Sequence, residues 1–192
     1  MRILEKIVEA AMRWAEKNDR VMRITGTAGP EDVYLIRYYI VKSKYFNLFI
    51  HQFLRSDRDD LHDHPWNFCT FLVRGSYTEK KWNEKEQRVQ TIRRKVGRRN
   101  KNRFVFRKAT DQHQVLVDRD LKLAEKDQAA LTIFMSGPTK REWGFVKEVW
   151  VDDPPFEISP GVVIDIHMQH KERRWVDWRT YLGLPPNTPG RG

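Results

Sequence analysis

The chain has 192 residues, a formal net charge of +10, 32% charged and 12% aromatic residues, and one cysteine. That length allows one domain with a sizeable core, and a lone cysteine excludes an internal disulfide and fits a reducing compartment. No apolar run approaches the ~18 residues of a membrane span, and the first twenty residues carry charge throughout, so a cytoplasmic protein without a membrane partner is expected.

Ile3, Leu4, Ile7, Val8, Ala11, Met12, Trp14 and Ala15 recur at three- and four-residue spacing, which predicts an amphipathic helix packed on the main domain. Asn18 and Asp19 end that pattern, and GTAGPED (26–32) is turn-forming. From residue 33 the period becomes two. VYLIRYYIV (33–41), FNLFIHQFL (46–54), WNFCTFLV (66–73), SYTEKKW (76–82), RVQTIRRKV (88–96), RFVFR (103–107), HQVLV (113–117), LTIFMSG (131–137) and REWGFVKEVWV (141–151) each read as a strand. Evenly spaced strands without intervening helices predict an antiparallel sandwich or barrel. Residues 118–130 predict an exposed hairpin or loop. Beyond a proline-rich connection, RRWVDWRTYLGL reads as a short helix or amphipathic strap, and PPNTPGRG has a disordered composition. The expected organisation is a helix and linker over 1–30, a barrel over 31–151 and an extension over 152–192.

The chemistry concentrates in DDLHDHPWNFCTFLVRGSYTE (59–79). Residues two apart on a strand share a face, so His62 and His64 can converge on one point. His113, opening another strand, is the candidate third ligand. Three neutral imidazoles suit a divalent transition metal, with Fe(II) favoured over Zn, Ni, Mn or Cu, and they leave coordination positions open as a catalytic metal requires. Glu79 and Tyr77 share a parity on the strand after Gly75. Glu79 is a candidate general base or further metal ligand, and Tyr77 a candidate hydrogen-bond donor to substrate. Arg37 is a candidate partner for an anionic substrate. His51 alternates with Phe49 and Phe53 and is expected to be a half-buried, satisfied histidine. Asp63 should face away from its histidine neighbours and orient one of them from behind. His167 and His170 are expected to be a surface pair.

These residues carry a family resemblance. HxH, an apolar strand, a glycine about a dozen residues on and a distant histidine resemble the cupin superfamily, over roughly residues 33 to 145. The resemblance implies an all-β fold, a double-stranded β-helix or antiparallel jelly-roll barrel, with an N-terminal α-helix added here. It implies one metal at His62, His64 and His113. Where the first cupin motif has a glutamate ligand, this chain has Cys69, and Lys108 and Thr110 replace the proline and glycine usual before His113. HDHPWNFCTFLVRGSYTE is similar to the cysteine dioxygenase branch of cupins, whose members bind Fe(II) through three histidines. In that branch an arginine matching Arg37 holds the substrate carboxylate. Its Ser-His-Tyr relay is absent, since LTIFMSGP sets Leu131, Ile133 and Met135 at the corresponding positions. HDHPW, RGSYTE, ATDQH, GPTKREWGF and WVDWRTYL together resemble small cupins of bacteria and their phages.

RVQTIRRKVGRRNKNRFVFRK (88–108) contains no acid. It reads as a solvated basic hairpin without the exposed aromatics of a single-strand platform, although nucleic acid stays open as a partner. The leading expectation is an Fe(II)-dependent dioxygenase acting on a small polar or anionic molecule, assembled as a homodimer. The alternatives are a sugar or nucleotide-sugar isomerase or epimerase working through histidine and tyrosine, and a non-enzymatic ligand- or nucleic-acid-binding cupin.

Overall fold

The computed structural model describes residues 2–25, 31, 33–57, 60–96, 102–117, 130–152, 156–159, 162–164 and 169–183. Most of the loop expected at 118–130, the proline-rich tail and His167 lie outside the described residues, as does the side chain of His170. The chain forms two compact units, residues 1–143 and 144–192.

The first unit opens with helix α1 (Arg2–Lys17), followed by β1 (Val21–Thr25), β2 (Val33–Lys42), β3 (Asn47–Phe53), β4 (Leu61–His62), β5 (Phe68–Arg74), β6 (Ser76–Asn83), β7 (Arg88–Lys95), β8 (Phe104–Arg107), β9 (His113–Val117) and β10 (Ala130–Ser136). One sheet runs β1-β2-β3-β10-β5-β8, every neighbour antiparallel. A second runs β4-β9-β6-β7, also antiparallel. Consecutive strands from β3 onward cross from sheet to sheet, apart from the β6–β7 hairpin. That winding is the double-stranded β-helix, or jelly roll, expected from the sequence. Inward side chains of both sheets line one internal cavity of about 340 Å³.

Period-two patterning explains which side chains enter it. On β8, Val105 and Arg107 are buried while Phe104 and Phe106 are each 56% exposed. Both parts of that observation correct the reading of a basic hairpin wholly in water and without exposed aromatics: Arg94 and Arg107 are buried, and the two phenylalanines are not. Helix α1 buries Val8 and Ala15, with Leu4, Ala11 and Met12, against Tyr38, Ile50, Val73 and Leu131 on the outer face of the first sheet. Ile3, Ile7 and Trp14, counted on the same apolar face, are exposed. They lie on the flank of the helix opposite Glu9, which pairs with Arg74 of β5 at 3.2 Å. Gly75 takes φ +81° between β5 and β6, a conformation costly for any residue with a Cβ. The short strands β1 and β4 were not anticipated, because VMRIT and LH are too brief to show a period.

The second unit pairs β11 (Gly144–Asp152) with β14 (Gln169–Asp177) and β12 (Phe156–Ser159) with β13 (Val162–Ile164), both antiparallel. A single turn, α2 (Trp178–Tyr181), follows β14, and the Asp177 carboxylate accepts from the backbone N–H groups of Arg179 and Thr180 at its start. Residues 173–177, expected in a helix or strap, are therefore strand, and only 178–181 turn helical. Phe145 stacks on Tyr181 with ring centroids 3.8 Å apart. Among the described residues, no helix is long and apolar enough to cross a membrane.

Leu72 is fully buried against Tyr77, Val115 and Ala130, at the seam where the two sheets meet. Leu72→Ala is expected to lower stability by about 2–5 kcal/mol, read as a reduced midpoint in urea unfolding at unchanged slope.

Candidate metal centre

His62 and His113 are direct cross-strand partners, the register of β4 on β9 placing their side chains next to each other. His64 follows two residues later, where its backbone N–H donates to the Ala109 carbonyl at 3.1 Å. Asn67 ties the same loop down, its carboxamide oxygen accepting from Ala109 N–H at 2.9 Å and its carbonyl from Gly137 N–H at 3.1 Å. The three imidazoles end with ring centroids 5.0–5.2 Å apart. One nitrogen from each lies within 4.8 Å of the others, and Nε2 of His64 is 2.8 Å from Nε2 of His113.

Two buried carboxylates stand behind two of these rings. Glu79 Oε1 lies 3.0 Å from His113 Nδ1, and Asp57 Oδ2 lies 3.2 Å from His62 Nδ1. A carboxylate only accepts, so His113 donates to Glu79 from Nδ1, which turns its Nε2 toward the other rings, while Asp57 sets a negative charge beside His62. This is the arrangement that orients a histidine for metal coordination. His64 has aromatic support, in edge contact with Phe68 at 4.6 Å and stacked on Trp66 at 5.8 Å. Burial is the main cause pushing the His62 pKa down to about 3, with His113 adding to it. Burial, followed by His113, His62, Arg37 and His51, holds His64 well below its ordinary value. His62 and His64 are therefore neutral at physiological pH, as metal ligands must be. The donor set, its spacing and its protonation state fit a divalent transition metal.

Glu79 sits differently from either role considered for it. It is 2% exposed, and its carboxylate accepts from Arg94 Nε at 2.9 Å and Nη2 at 2.5 Å, and from Arg107 Nε at 3.0 Å and Nη2 at 2.8 Å, besides His113. Burial works to raise its pKa, but His113 and the two guanidiniums outweigh it and hold the group well below the ordinary carboxylate range. It is a fully engaged anion at the back of His113. Tyr77 lines the cavity two residues earlier, and burial, then Glu79, pushes its pKa up to about 12. Arg37 lines the cavity from β2, its Nε donating to His51 Nε2 at 2.9 Å and its guanidinium lying 5.1 Å from the Phe49 ring centre. Asp63 faces away from the cavity and accepts from Arg141 Nη1 at 2.5 Å.

Cys69 does not line the cavity, although its strand neighbours Phe68 and Thr70 do. By alternation it faces outward with Phe71, which packs under α1. The comparison of Leu131, Ile133 and Met135 with a catalytic relay is corrected as well. The residues of β10 that line the cavity are Thr132 and Phe134, one register step away. Asp57, Arg94 and Arg107 were missed. Asp57 lies in an acidic run, SDRDDLHD, where nothing in the pattern marks one carboxylate over another, and the arginines are hidden in a uniformly basic stretch.

No family model matches the chain, and no curated protein does. Solved structures similar to it include the hydroxypropylphosphonic acid epoxidase from S. wedmorenis, at 14% identity over 62% of this chain and 56% of that one, with a TM-score of 0.41. Oxalate decarboxylase from Bacillus subtilis is similar at 11% identity over 61% of this chain and 26% of that one, with a TM-score of 0.42. A conserved protein of unknown function from Streptococcus pyogenes is similar at 9% identity over 56% of this chain and 76% of that one, with a TM-score of 0.38. The chain thus spans little more than half the length of the epoxidase. At such identities and scores, the fold is defined by the strand order rather than by these neighbours.

For His51, His62 and His64 the folded pKa lies below the unfolded value of 6.5, so an unfolding chain takes up protons as the pH falls. Their contribution to stability is complete above pH 6.5 and is lost on acidification, for His62 down to about pH 3. The melting temperature of the metal-free protein is expected to fall steadily between pH 7 and pH 4 in differential scanning fluorimetry. Glu79→Gln strands two buried guanidiniums and is expected to cost roughly 3–5 kcal/mol in urea unfolding, part of it recovered in the double variant with Arg94→Met.

Proposed function

We propose that the chain is a metal-dependent cupin enzyme of the cytoplasm, an Fe(II)-dependent dioxygenase that takes a small anionic molecule. The observation that carries this reading is the convergence of three histidines at an aromatic-lined cavity, two of them with a buried carboxylate close behind the ring. His62, His64 and His113 would hold the metal. With three protein ligands the site keeps positions open, and such an ion supplies Lewis-acid polarisation and, as iron, one-electron chemistry toward oxygen.

The residues of the chain do the rest. Glu79 accepts from Nδ1 of His113 and so directs its Nε2 at the centre, and Asp57 places a second carboxylate beside His62. Trp66, Phe68, Phe134 and Trp143 wall the cavity and give it an apolar surface. Arg37 supplies the positive charge that orients an anionic substrate. Tyr77 supplies a neutral hydroxyl and, with its pKa near 12, holds its proton at neutral pH. That makes it a poor general base, which disfavours the epimerase alternative. Nucleic-acid binding has one observation in its favour, the exposed Phe104 and Phe106 beside basic residues. Against it, Arg94 and Arg107 of the same stretch are committed to Glu79.

Purified protein reconstituted with Fe(II) or Zn(II) is expected to bind about one metal per chain, measured by plasma mass spectrometry, and His113→Ala to lose it. Absence of metal after reconstitution, or unchanged content in the variant, would end this reading.

A further inference from the structure

On the side away from the cavity, the first sheet carries an uncovered apolar strip along its edge. β8 ends the strand order, paired with β5, and turns Phe104 and Phe106 outward, each more than half exposed. Alternation explains where these side chains point but not why they are phenylalanines. Outward positions on an edge strand are normally charged or polar, because exposed apolar edges invite unwanted pairing. The strip continues across the register, with Phe106 opposite Cys69, Cys69 opposite Met135, and Phe104 opposite Phe71. Helix α1 packs on Phe71 and Ile133 and leaves Phe104 and Phe106 uncovered.

Two cations frame the strip. Arg103 holds its guanidinium 4.6 Å from the Phe71 ring centre, and its Nε donates to the Leu72 carbonyl at 2.9 Å. Its Nη2 has no hydrogen-bond partner among the described residues. Lys108, two residues beyond Phe106, is exposed. Elsewhere in this unit the arginines meet carboxylates: Arg74 has Glu9, Arg94 and Arg107 share Glu79, and Arg141 has Asp63. Among the described residues no carboxylate pairs with the side chain of Arg103 or Lys108, and Asp111 lies 3.7 Å from Lys81 instead. The charge beside the two rings is therefore left for an anion outside the chain.

The spacing selects the kind of anion. Residues two apart on a strand are about 6.8 Å apart, twice the ~3.4 Å rise of stacked bases along one nucleic-acid strand. Two rings so placed suit neighbouring bases drawn out of their stack, each laid on one phenylalanine, with the linking phosphates near the flanking cations. A duplex keeps its base faces to itself and cannot use the rings. A bilayer needs a broad apolar face sunk into the acyl boundary, and here two rings stand out. A second copy would bring two chains of net charge +10 together.

We propose that the outer edge of the first sheet is a binding surface for single-stranded nucleic acid, with two neighbouring bases stacked on Phe104 and Phe106 and their phosphates drawn to Arg103 and Lys108. This surface faces away from the cavity and goes beyond the enzymatic reading without resting on the metal. Arg94 and Arg107 take no part in it, since they stay with Glu79.

The test titrates the full chain against a fluorescein-labelled oligothymidine of about fifteen nucleotides, by fluorescence anisotropy at about 50 and 200 mM salt. Saturable binding is expected, about sevenfold weaker at the higher salt, as two phosphate contacts at a slope of ~0.7 each require. Phe104→Ala and Phe106→Ala are each expected to weaken it roughly fivefold or more, and Phe106→Tyr, which keeps a ring, to change it less than about twofold. Because both rings are exposed, the alanine variants should hold their melting temperature within about 2 °C. Lys108→Gln is expected to lower the salt slope by about 0.7, one phosphate contact. Chelated and Zn(II)-loaded protein should bind alike. No saturable binding, equal affinity for a duplex of the same length or for polyglutamate, full affinity in both alanine variants, or binding that requires metal overturns the proposal. Binding to phosphatidylserine vesicles, or self-association in sedimentation, that depends on Phe104 and Phe106 while the oligonucleotide does not bind, overturns it too and assigns the strip to that occupant.

Discussion

The rest of the site depends on one buried carboxylate. Glu79 lies where an unpaired anion would cost several kcal/mol, and it is tolerated because two guanidiniums and an imidazole occupy its lone pairs. Those partners come from three other strands. Arg94 is on β7 and His113 on β9 of the same sheet, while Arg107 reaches over from β8 of the opposite sheet. The ion cluster thereby ties the two halves of the jelly roll together at the back of the histidine centre. It also determines what happens outside. Once Arg107 must point inward, alternation along FVFR turns Phe104 and Phe106 toward solvent, which apolar residues would not adopt on their own account.

The same carboxylate fixes the chemistry of His113. With Glu79 accepting at Nδ1, that nitrogen of His113 keeps its proton and Nε2 faces the centre, and Asp57 sets a second carboxylate beside His62. The surroundings are not electrically balanced. One carboxylate between two arginines leaves an excess positive charge a few ångströms behind a ligand, and a cation at the centre would feel that repulsion across a low-dielectric interior. The neutral, aromatic setting of His64 adds nothing to offset it. An anion bound in the cavity would offset it, so metal and anionic ligand should favour each other's binding.

How much of this is legible in the sequence follows from the range over which each feature is determined. Strand positions and the jelly-roll winding could be read because period-two patterning is local, and nine strands left no room for crossover helices. His62 and His64 were visible as a pair two apart, and His113 as the histidine opening a later strand. The partners behind them were not. Asp57 reaches His62 through the packing of a loop on β9, and Arg94 and Arg107 find Glu79 by diagonal and cross-sheet contacts that no linear spacing records. Cys69 was over-read for the complementary reason. Its offset from His64 was counted along the chain, whereas the strand turned Phe68 and Thr70 to the cavity instead.

The two walls of the cavity end up with opposite chemical character. The second sheet presents nitrogen lone pairs, kept available by carboxylates behind them, and so suits a cation. The first sheet presents N–H and O–H groups from Arg37, His51 and Thr132, and so suits an anion. Two of the rings are oriented by a hydrogen-bonded neighbour: Glu79 accepts from Nδ1 of His113, and Arg37 donates to Nε2 of His51. Four histidines in one cavity thus divide into a converging trio and one ring held by Arg37. Between the walls lie aromatic rings and aliphatic side chains such as Ile24, Leu35, Val105 and Val115, which neither compete for the cation nor satisfy the anion's oxygens. A ligand that joins the two walls must therefore be polar at its ends and apolar between them.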